Sequence, residues 1–304
     1  MSKKSLFIIL CLVIFSLISL NSALRSLKAK STQNILGSYT FAATKHNLFK
    51  LNRIRLTSSD GSEMNFYYEH GIWYFEEAAD YYVKNEAIEN FYNMVKNSIL
   101  TEKTTSQPSD YEKINIKTFD KSGTILDDVY LSGPDYAVMN YPGGDTLYKV
   151  TNTEDFSANP PDWLPSPLLK INPDLISAVN IDGKYANKNS LDETEDFSQN
   201  LKDFLSPLQQ LDYEGIISND LFDEQYASAQ KKELMIYLVG GLDYRLNLYF
   251  DGENYYARIS AEREPISKAE VNTIIELQNM YFDGWTFLLT NEQGEKLFAF
   301  DFEQ

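Results

Sequence analysis

Carboxylates are the most abundant side chains that could take part in chemistry, because the 304-residue chain contains 44 Asp and Glu residues. A glycoside hydrolase needs two carboxyl groups facing each other about 5 to 9 Å apart, which sequence spacing does not establish. No acidic cluster shows the alternating acids, closed by Gly and Glu, of a calcium loop. We therefore expect the acids mainly to keep the chain soluble, and we predict no catalytic residue, metal site or cofactor. The clusters are Glu76-Glu77, Asp127-Asp128, Asp192-Glu193 with Glu195-Asp196, and Asp220 with Asp223-Glu224.

Other groups that could act as nucleophiles, bases or ligands are few, since the chain has two histidines and one cysteine. His46 ends a polar stretch and His70 lies beside a turn, so we expect both to be solvated. Cys11 lies inside an apolar run, and a single cysteine excludes a disulfide framework or a multi-cysteine zinc site. The sequence also lacks the common hydrolase, zinc-protease and phosphate-loop motifs. These observations predict a protein that is not an enzyme.

Aromatic residues are the second notable group, with 21 Tyr and 18 Phe. They have two interpretations. Tyr and Phe suit the half-buried faces of β-sheets, which accounts for most of them. Adjacent tyrosines, however, place one ring on each face of a strand, so one ring of each pair is expected to be exposed for a partner. The candidate partner surface comprises Tyr67, Tyr68, Tyr81, Tyr82, Tyr255 and Tyr256.

The charge balance limits the class of partner. Lys and Arg total 27, which leaves a formal net charge of −17 at pH 7. Nucleic-acid binding depends on basic surface that displaces counterions from phosphates, so we predict no nucleic-acid partner. Apolar residues make up 43% of the chain, enough to build a core.

The N-terminus has the composition of a membrane segment. Leu6–Leu20 is apolar apart from Ser16 and Ser19, and Ser5–Leu24 would span about 30 Å as a helix, which is one bilayer core. The alternative is a cleaved secretory signal. Cleavage after Ala23 would place Asn21 at a position that favours small residues, so we favour a retained anchor. The membrane is thus a predicted partner.

Basic residues flank the apolar segment on both sides: Lys3, Lys4, Arg25, Lys28 and Lys30. The first two favour a cytoplasmic N-terminus, and the last three oppose it. The acidic remainder contains no second apolar run long enough to span a bilayer. We therefore expect a single-pass protein of the inner (cytoplasmic) membrane, with its body facing the periplasm or the cell exterior.

Five of the ten prolines lie between Pro160 and Pro173 and mark a boundary, because proline interrupts helices and central strands. We therefore divide the chain into six predicted parts. The predicted parts are a cytoplasmic tail (1–4), a transmembrane anchor (5–24), a stalk (25–45), a first α+β module (46–159), a Pro-rich linker (160–175) and a second α+β module (176–304).

Each module shows a helix and hairpin-linked strands. In Arg53-Ile54-Arg55-Leu56, basic and apolar residues alternate as on a half-buried strand. An apolar stripe predicts a helix over Asn85–Leu100, followed by a meander of four strands. We predict a second meander over Glu233–Ser260, a helix beginning near Ser267, and a closing hairpin. The fold class is α+β, with two related modules that each pack a helix on an antiparallel meander behind an N-terminal transmembrane helix.

The closing hairpin is the most specific prediction for the C-terminus. It pairs Trp285–Leu289 with Lys296–Phe302 and turns at Asn291–Gly294. Asn and Gly are typical of turns, because they tolerate left-handed backbone angles.

Several short motifs occur along the chain from about residue 46 onward. They are Leu51–Thr57, Asp60-Gly61, Gly71-Ile72-Trp73, Leu147-Tyr148-Lys149-Val150, Trp163 with Ile171 and Ile176, and Phe282-Asp283-Gly284-Trp285-Thr286-Phe287. Together they resemble the bacterial family catalogued as domain of unknown function 4340. The resemblance implies an N-terminal membrane helix, a repeated α+β body and, for some members, a place beside ABC-transporter components of the gliding-motility auxiliary type. It implies no catalytic residues.

Three functions remain open. The first is a non-enzymatic, membrane-anchored binding or scaffold protein, serving an ABC-type transporter or a cell-envelope complex. The second is a structural spacer of the envelope. The third is a carboxylate-based hydrolase of an envelope polymer, which requires two acids with separated pKa values in one cleft.

Overall fold

The computed structural model describes residues 36–104, 113–132, 136–141, 144–187, 201, 203–263 and 269–299. They form the predicted mixture of helix and strand, with antiparallel sheets and few helices. The predicted membrane segment, Ser5–Leu24, lies outside these ranges. None of the helices within them combines the length and apolar composition needed to span a bilayer.

The strands, in chain order, are β1 Leu51–Thr57, β2 Glu63–Glu69, β3 Ile72–Phe75, β4 Tyr81–Tyr82, β5 Leu100–Thr104, β6 Lys113–Asp120, β7 Ile125–Ser132, β8 Tyr136–Tyr141, β9 Gly144–Val150, β10 Ile176–Ile181, β11 Lys184–Asn187, β12 Tyr213–Ser218, β13 Gln230–Leu238, β14 Leu242–Phe250, β15 Tyr255–Arg263 and β16 Trp285–Leu289. The α-helices with described bounds are α1 Ala42–His46, α2 Asn85–Asn97, α3 Asn219–Gln225, α4 Ala269–Phe282 and α5 Asn291–Ala299.

The chain divides into two compact units. Unit 1 contains the described residues of Met1–Gly71 and Asn85–Asn159, and unit 2 contains those of Ile72–Lys84 and Pro160–Gln304. The division after Asn159 falls where the prolines begin. The sequence placed all of 46–159 in one module, whereas the structure groups Ile72–Lys84 with the later residues.

Unit 1 is built on an antiparallel sheet with the strand order β2-β1-β6-β7-β8-β9-β5. The four strands predicted as a meander, β6 to β9, are confirmed as neighbours. On β1, Ile54 and Leu56 are fully buried, while Arg53 and Arg55 point to the opposite face and are half-buried. The alternation seen in the sequence therefore separates a core face from an outer face.

The helix predicted from Asn85 is confirmed as α2, which buries Ile88, Phe91, Met94 and Val95. It ends at Asn97 instead of Leu100, because Leu100 begins β5 and pairs with Val150 of β9. Helical spacing therefore identified the helix and its buried face, and strand pairing determined where it ends.

The last part of the predicted stalk is folded into unit 1. Phe41 is fully buried, and α1 begins directly after it. The Asp127 carboxylate accepts hydrogen bonds from the backbone N–H of Thr44 at 2.6 Å and of Ala43 at 3.4 Å. The Thr44 hydroxyl also lies 2.6 Å from that of Thr118 on β6. A carboxylate at a helix N-terminus satisfies donors that the helix itself leaves unpaired.

Unit 2 contains a seven-stranded antiparallel sheet with the order β11-β10-β13-β14-β15-β16-β12. Helix α4 is joined to it through Asn279, whose amide donates to the Ala261 carbonyl at 2.9 Å and accepts from the Ala261 N–H at 2.7 Å. The side chain thereby satisfies both backbone groups of one β15 residue, as a neighbouring strand would. The Ser267 cap predicted for this helix lies outside the described residues.

The predicted Pro-rich linker is also part of unit 2. Trp163 is 2% exposed, and its carbonyl accepts a hydrogen bond from the Lys84 backbone at 2.8 Å. Leu169 forms an isolated bridge with Leu211 and is buried. The apolar residues between the prolines therefore pack as core.

The predicted closing hairpin is wrong. Trp285–Leu289 forms β16, but the chain then continues as helix α5. Gly294 lies within α5 and is buried against Tyr255 of β15. A glycine that permits close packing gives the same sequence signal as a glycine that permits a turn.

The Gly294 contact leads to a stability prediction. A Cβ at this position would overlap the Cβ of Tyr255 and lie 2.6 Å from its Cγ. We expect Gly294→Ala to lower the free energy of unfolding by about 3 kcal/mol, since neither atom is a movable side-chain end. Equilibrium denaturation in urea measures the change.

Gly215→Ala is the matched control. Its Cβ would meet Leu288 at 3.5 Å, an ordinary contact, and the backbone there is not left-handed. This variant should keep or raise stability, by about 0.5 kcal/mol. Equal losses in the two variants would contradict the packing of α5 on Tyr255.

Candidate functional site

A groove of about 1000 Å³ opens at one end of the unit 1 sheet. It lies where β1 begins, where β2 ends and where β6 turns into β7. Its lining includes three aromatic residues and three basic residues. Concave sites with apolar walls and a few polar groups are the usual form of ligand sites.

A bulge at Asn52 shapes this end of the sheet. Leu51 pairs with Asp120 and Arg53 pairs with Phe119, so Asn52 is an extra residue on β1. The Asn52 amide donates to the Tyr68 carbonyl at 2.7 Å, which fastens the bulge to β2. Bulges redirect side chains and often border functional sites.

The aromatic side of the groove is unusually exposed. Phe49 immediately precedes Lys50 and β1 in a short 3₁₀ turn, and it is 83% exposed. Tyr68 is 41% exposed and Tyr67 is half-buried. The three rings line the same groove and so form an aromatic patch, and a patch of this kind, unlike a single exposed ring, indicates a contact surface.

The basic side of the groove comes from three separate segments. Lys50 lies 5.5 Å from the centre of the Phe49 ring. Arg53 and Lys121 form no side-chain hydrogen bond or ion pair with any residue that the structure describes. The two acids in the lining are Glu69 and Asp120. Three basic residues against two acids make the groove net positive, although the whole chain carries −17.

The Asp120 carboxylate is held by hydrogen bonds within the turn between β6 and β7. One of its carboxylate oxygens accepts bonds from the Ser122 hydroxyl at 2.6 Å, the Ser122 N–H at 2.9 Å and the Thr124 N–H at 2.9 Å. The Ser122 hydroxyl and these backbone donors, with Lys50 nearby, hold the pKa of Asp120 below its ordinary value. Asp120 is therefore ionised at neutral pH and shapes the groove.

The two histidines are both solvent-exposed. His70 has a left-handed backbone with φ of 50° and lies 3.9 Å from Glu69, its chain neighbour. His46 is in α1, where its ring nitrogen lies 2.7 Å from the Ala42 carbonyl. Neither side chain is held against a Ser, Thr or Cys nucleophile by a described hydrogen bond.

The pair Tyr81 and Tyr82 packs within unit 2. Tyr81 is 2% exposed, with its ring 5.0 Å from that of Trp285. Its hydroxyl donates to the Tyr281 carbonyl at 3.0 Å, and burial raises the pKa of the phenol. Tyr82 is half-buried, 5.4 Å from Trp285. Tyr81 is thus excluded from the predicted partner surface, because its ring is part of the core.

The pair Tyr255 and Tyr256 also has one buried member. Tyr256 is 5% exposed. It lies 5.1 Å from Phe222, and its hydroxyl is 3.1 Å from an Asp251 oxygen. Tyr255 stacks on Phe250 at 4.6 Å. Tyr256 is therefore excluded from the predicted surface as well, while Tyr67 and Tyr68 lie together in the groove.

The acidic pair Asp127-Asp128 cannot act on one substrate bond. Asp127 bonds α1 on the core face, and Asp128 lies on the outer face, 3.4 Å from Lys117 and 2.7 Å from the Asn115 amide. Strand alternation separates the two carboxylates by the thickness of the sheet.

The other acidic clusters that the structure describes have structural or solvent-facing positions. Asp223 on α3 pairs with Arg258 at 2.6 Å. Glu76 and Glu77 are exposed on a 3₁₀ turn. The cluster Asp192–Asp196 lies outside the described residues. Within the described residues, no group of three or more His, Cys, Asp or Glu side chains is placed to hold a metal ion.

The sequence indicated only part of the groove. The tyrosine doublet drew attention to Tyr67 and Tyr68, and strand alternation identified Arg53 as outward-facing. No sequence pattern indicated that Phe49 or Lys121 belongs to a binding site. They reach the groove because β1 pairs with both β2 and β6, a long-range arrangement.

The chain matches no family model, no curated protein and no solved structure. The resemblance to the domain of unknown function 4340 family stays a prediction that rests on its short motifs.

The Asp120 turn provides a test of the groove's geometry. We expect Ser122→Ala to raise the pKa of Asp120 toward its ordinary value, because the Ser122 hydroxyl makes the largest contribution to lowering it. The carboxyl carbon can be followed by NMR during a pH titration.

Ser62→Ala is the control, since Ser62 forms the same contacts with Asp60 in the β1–β2 turn. It should change the pKa of Asp60 and leave that of Asp120 in place. An Asp120 pKa that is the same in the wild type and in Ser122→Ala would contradict the turn described above.

Proposed function

We propose that this chain is a membrane-anchored, non-enzymatic binding protein and that the groove of unit 1 is its ligand site. The observation that carries the proposal is the combination of an exposed ring, Phe49, with two cations, Arg53 and Lys121, that pair with none of the residues described by the structure. Exposed apolar surface bordered by charge is typical of binding sites. A purely structural spacer has no need of such a combination.

The proposed anchor is Ser5–Leu24, with the body outside the cytoplasm at the inner membrane. Its length and apolar composition support this. Tethering would raise the effective concentration of the groove for ligands near the membrane. In this proposal the anchor holds the protein at the membrane, and the groove binds the ligand.

We also propose the finer architecture, in which two related modules each pack a helix on an antiparallel meander. The meanders β6 to β9 and β13 to β15 support it, together with α2 in unit 1 and α4 in unit 2. Helix α4 contacts β15 through Asn279. The element order recurs without recurrence of residue identity.

The acids of the groove favour binding over hydrolysis. A carboxylate-based hydrolase needs one protonated acid and one ionised partner. The Asp120 pKa is lowered and its oxygen is occupied by the turn, which makes it a poor proton donor at neutral pH. Glu69 is the other acid in the lining.

An ABC-type transporter or a cell-envelope complex is the proposed setting. The resemblance to the domain of unknown function 4340 family supports this partner class, and so does the proposed tether. A ligand held in the groove would be presented to neighbouring membrane components.

The experiment is affinity recovery of the tagged full-length chain from native membranes in mild detergent. The groove variant is Arg53→Gln with Lys121→Gln. We expect it to recover at least fivefold less associated envelope material than the wild type, because loss of two charge-assisted contacts costs about 1 kcal/mol or more. Quantitative mass spectrometry and sugar analysis measure the recovery.

The matched control is Lys103→Gln with Lys113→Gln, which removes the same charge from exposed positions of unit 1 outside the groove. It should recover as much material as the wild type. Equal recovery with the groove variant would place any binding elsewhere on the chain.

A further inference from the structure

We infer that the groove takes an acidic polysaccharide, namely a chain of sugars that carry carboxylates. The inference rests on the proposed function, because it assumes that the groove binds a ligand. It deepens that function by naming the ligand's chemistry.

From Arg53 onward, the backbone of β1 is paired on both edges. Arg53 pairs with Tyr67 on one side and Phe119 on the other, and Ile54 pairs with Phe66 and Thr118. An extended peptide binds most sheets by adding a strand to a free edge. Because β1 offers no free edge from Arg53 onward, recognition at that residue comes from its side chain.

The exposed rings suit a rigid, flat ligand. Phe49 is 83% exposed and Tyr68 is 41% exposed, and both line the groove. A pyranose ring presents a rigid face of C–H groups that can stack on the negative face of an aromatic ring. Rigid ligands also lose less conformational entropy on binding than flexible chains.

The charges of the groove suit carboxylates. Arg53 offers a planar fork of N–H donors that fits a carboxylate with two parallel bonds, and Lys121 adds a second positive charge. Neither side chain is neutralised by a described partner. A neutral polysaccharide would cover these cations without pairing them, which is unfavourable.

The dimensions suit a polymer segment. The groove holds about 1000 Å³, the upper end of the range for small-molecule sites, and it is open to solvent. A ligand can therefore extend out of it at its sides. An acidic peptide is the main competitor, since it supplies carboxylates without rigid rings.

Three probes separate rings from charge: tetragalacturonate, its fully methyl-esterified form, and tetraglutamate. The first has rings and carboxylates, the second has only the rings, and the third has only the carboxylates. Isothermal titration of the full-length protein in mild detergent measures each affinity. We expect tetragalacturonate to bind at least tenfold more tightly than either of the others.

Two variants test the site itself. Phe49→Ala and Lys121→Gln should each weaken tetragalacturonate binding by about fivefold. Leu175→Ala, at another exposed apolar residue, and Lys103→Gln should leave it unchanged. Phe49→Ala removes a ring that is mostly solvent-exposed, so it is expected to fold as the wild type does.

The outcomes distinguish the two proposals. Equal binding of tetraglutamate and tetragalacturonate would overturn the saccharide and keep the groove as an anion site. Equal binding of the methyl ester would overturn the role of the carboxylates. Absence of tetragalacturonate binding would overturn the inference, whereas the proposed function stands or falls on the membrane recovery experiment.

Discussion

Antiparallel pairing of β1 on both of its edges is the constraint on which the groove depends. The ladders to β2 and β6 fix which residues share a face. Ile54 and Leu56 are directed into the core, and Arg53 is directed outward. A shift of one residue would reverse both faces, so burial of the apolar residues also holds the arginine in place. The free energy gained by burying Ile54 and Leu56 therefore also fixes the direction of Arg53 at the groove.

The same alternation explains how an acidic chain can carry a basic groove. On the core face, the Asp127 carboxylate accepts a hydrogen bond from the backbone of α1. On the outer face, Asp128 pairs with Lys117. Asp223 is likewise paired, with Arg258 at 2.6 Å. The groove differs because Arg53 and Lys121 remain unpaired among the described residues. A net negative body with a net positive groove would favour anionic ligands there and repel them elsewhere.

The sequence predicted local structure better than it predicted the site. The strand through Arg53-Ile54-Arg55-Leu56 and the helix from Asn85 followed from periodicity, because burial imposes a period of two or 3.6 residues. The hairpin at the C-terminus failed, because Gly294 serves packing against Tyr255. The groove combines Phe49, Tyr68 and Lys121, which meet only through long-range strand pairing. Tyr81 and Tyr256 are the buried members of their pairs, and alternation alone does not reveal which ring of a pair faces the core.

The most direct test of the groove as the contact surface is site-specific photo-crosslinking in living cells. A benzophenone amino acid would replace Phe49 in one variant and Leu175 in another, both exposed positions in the free protein. The account predicts a discrete crosslinked species from position 49, lost when Arg53 and Lys121 are changed to Gln. No crosslinked species from position 49, or the same species from position 175, would contradict it.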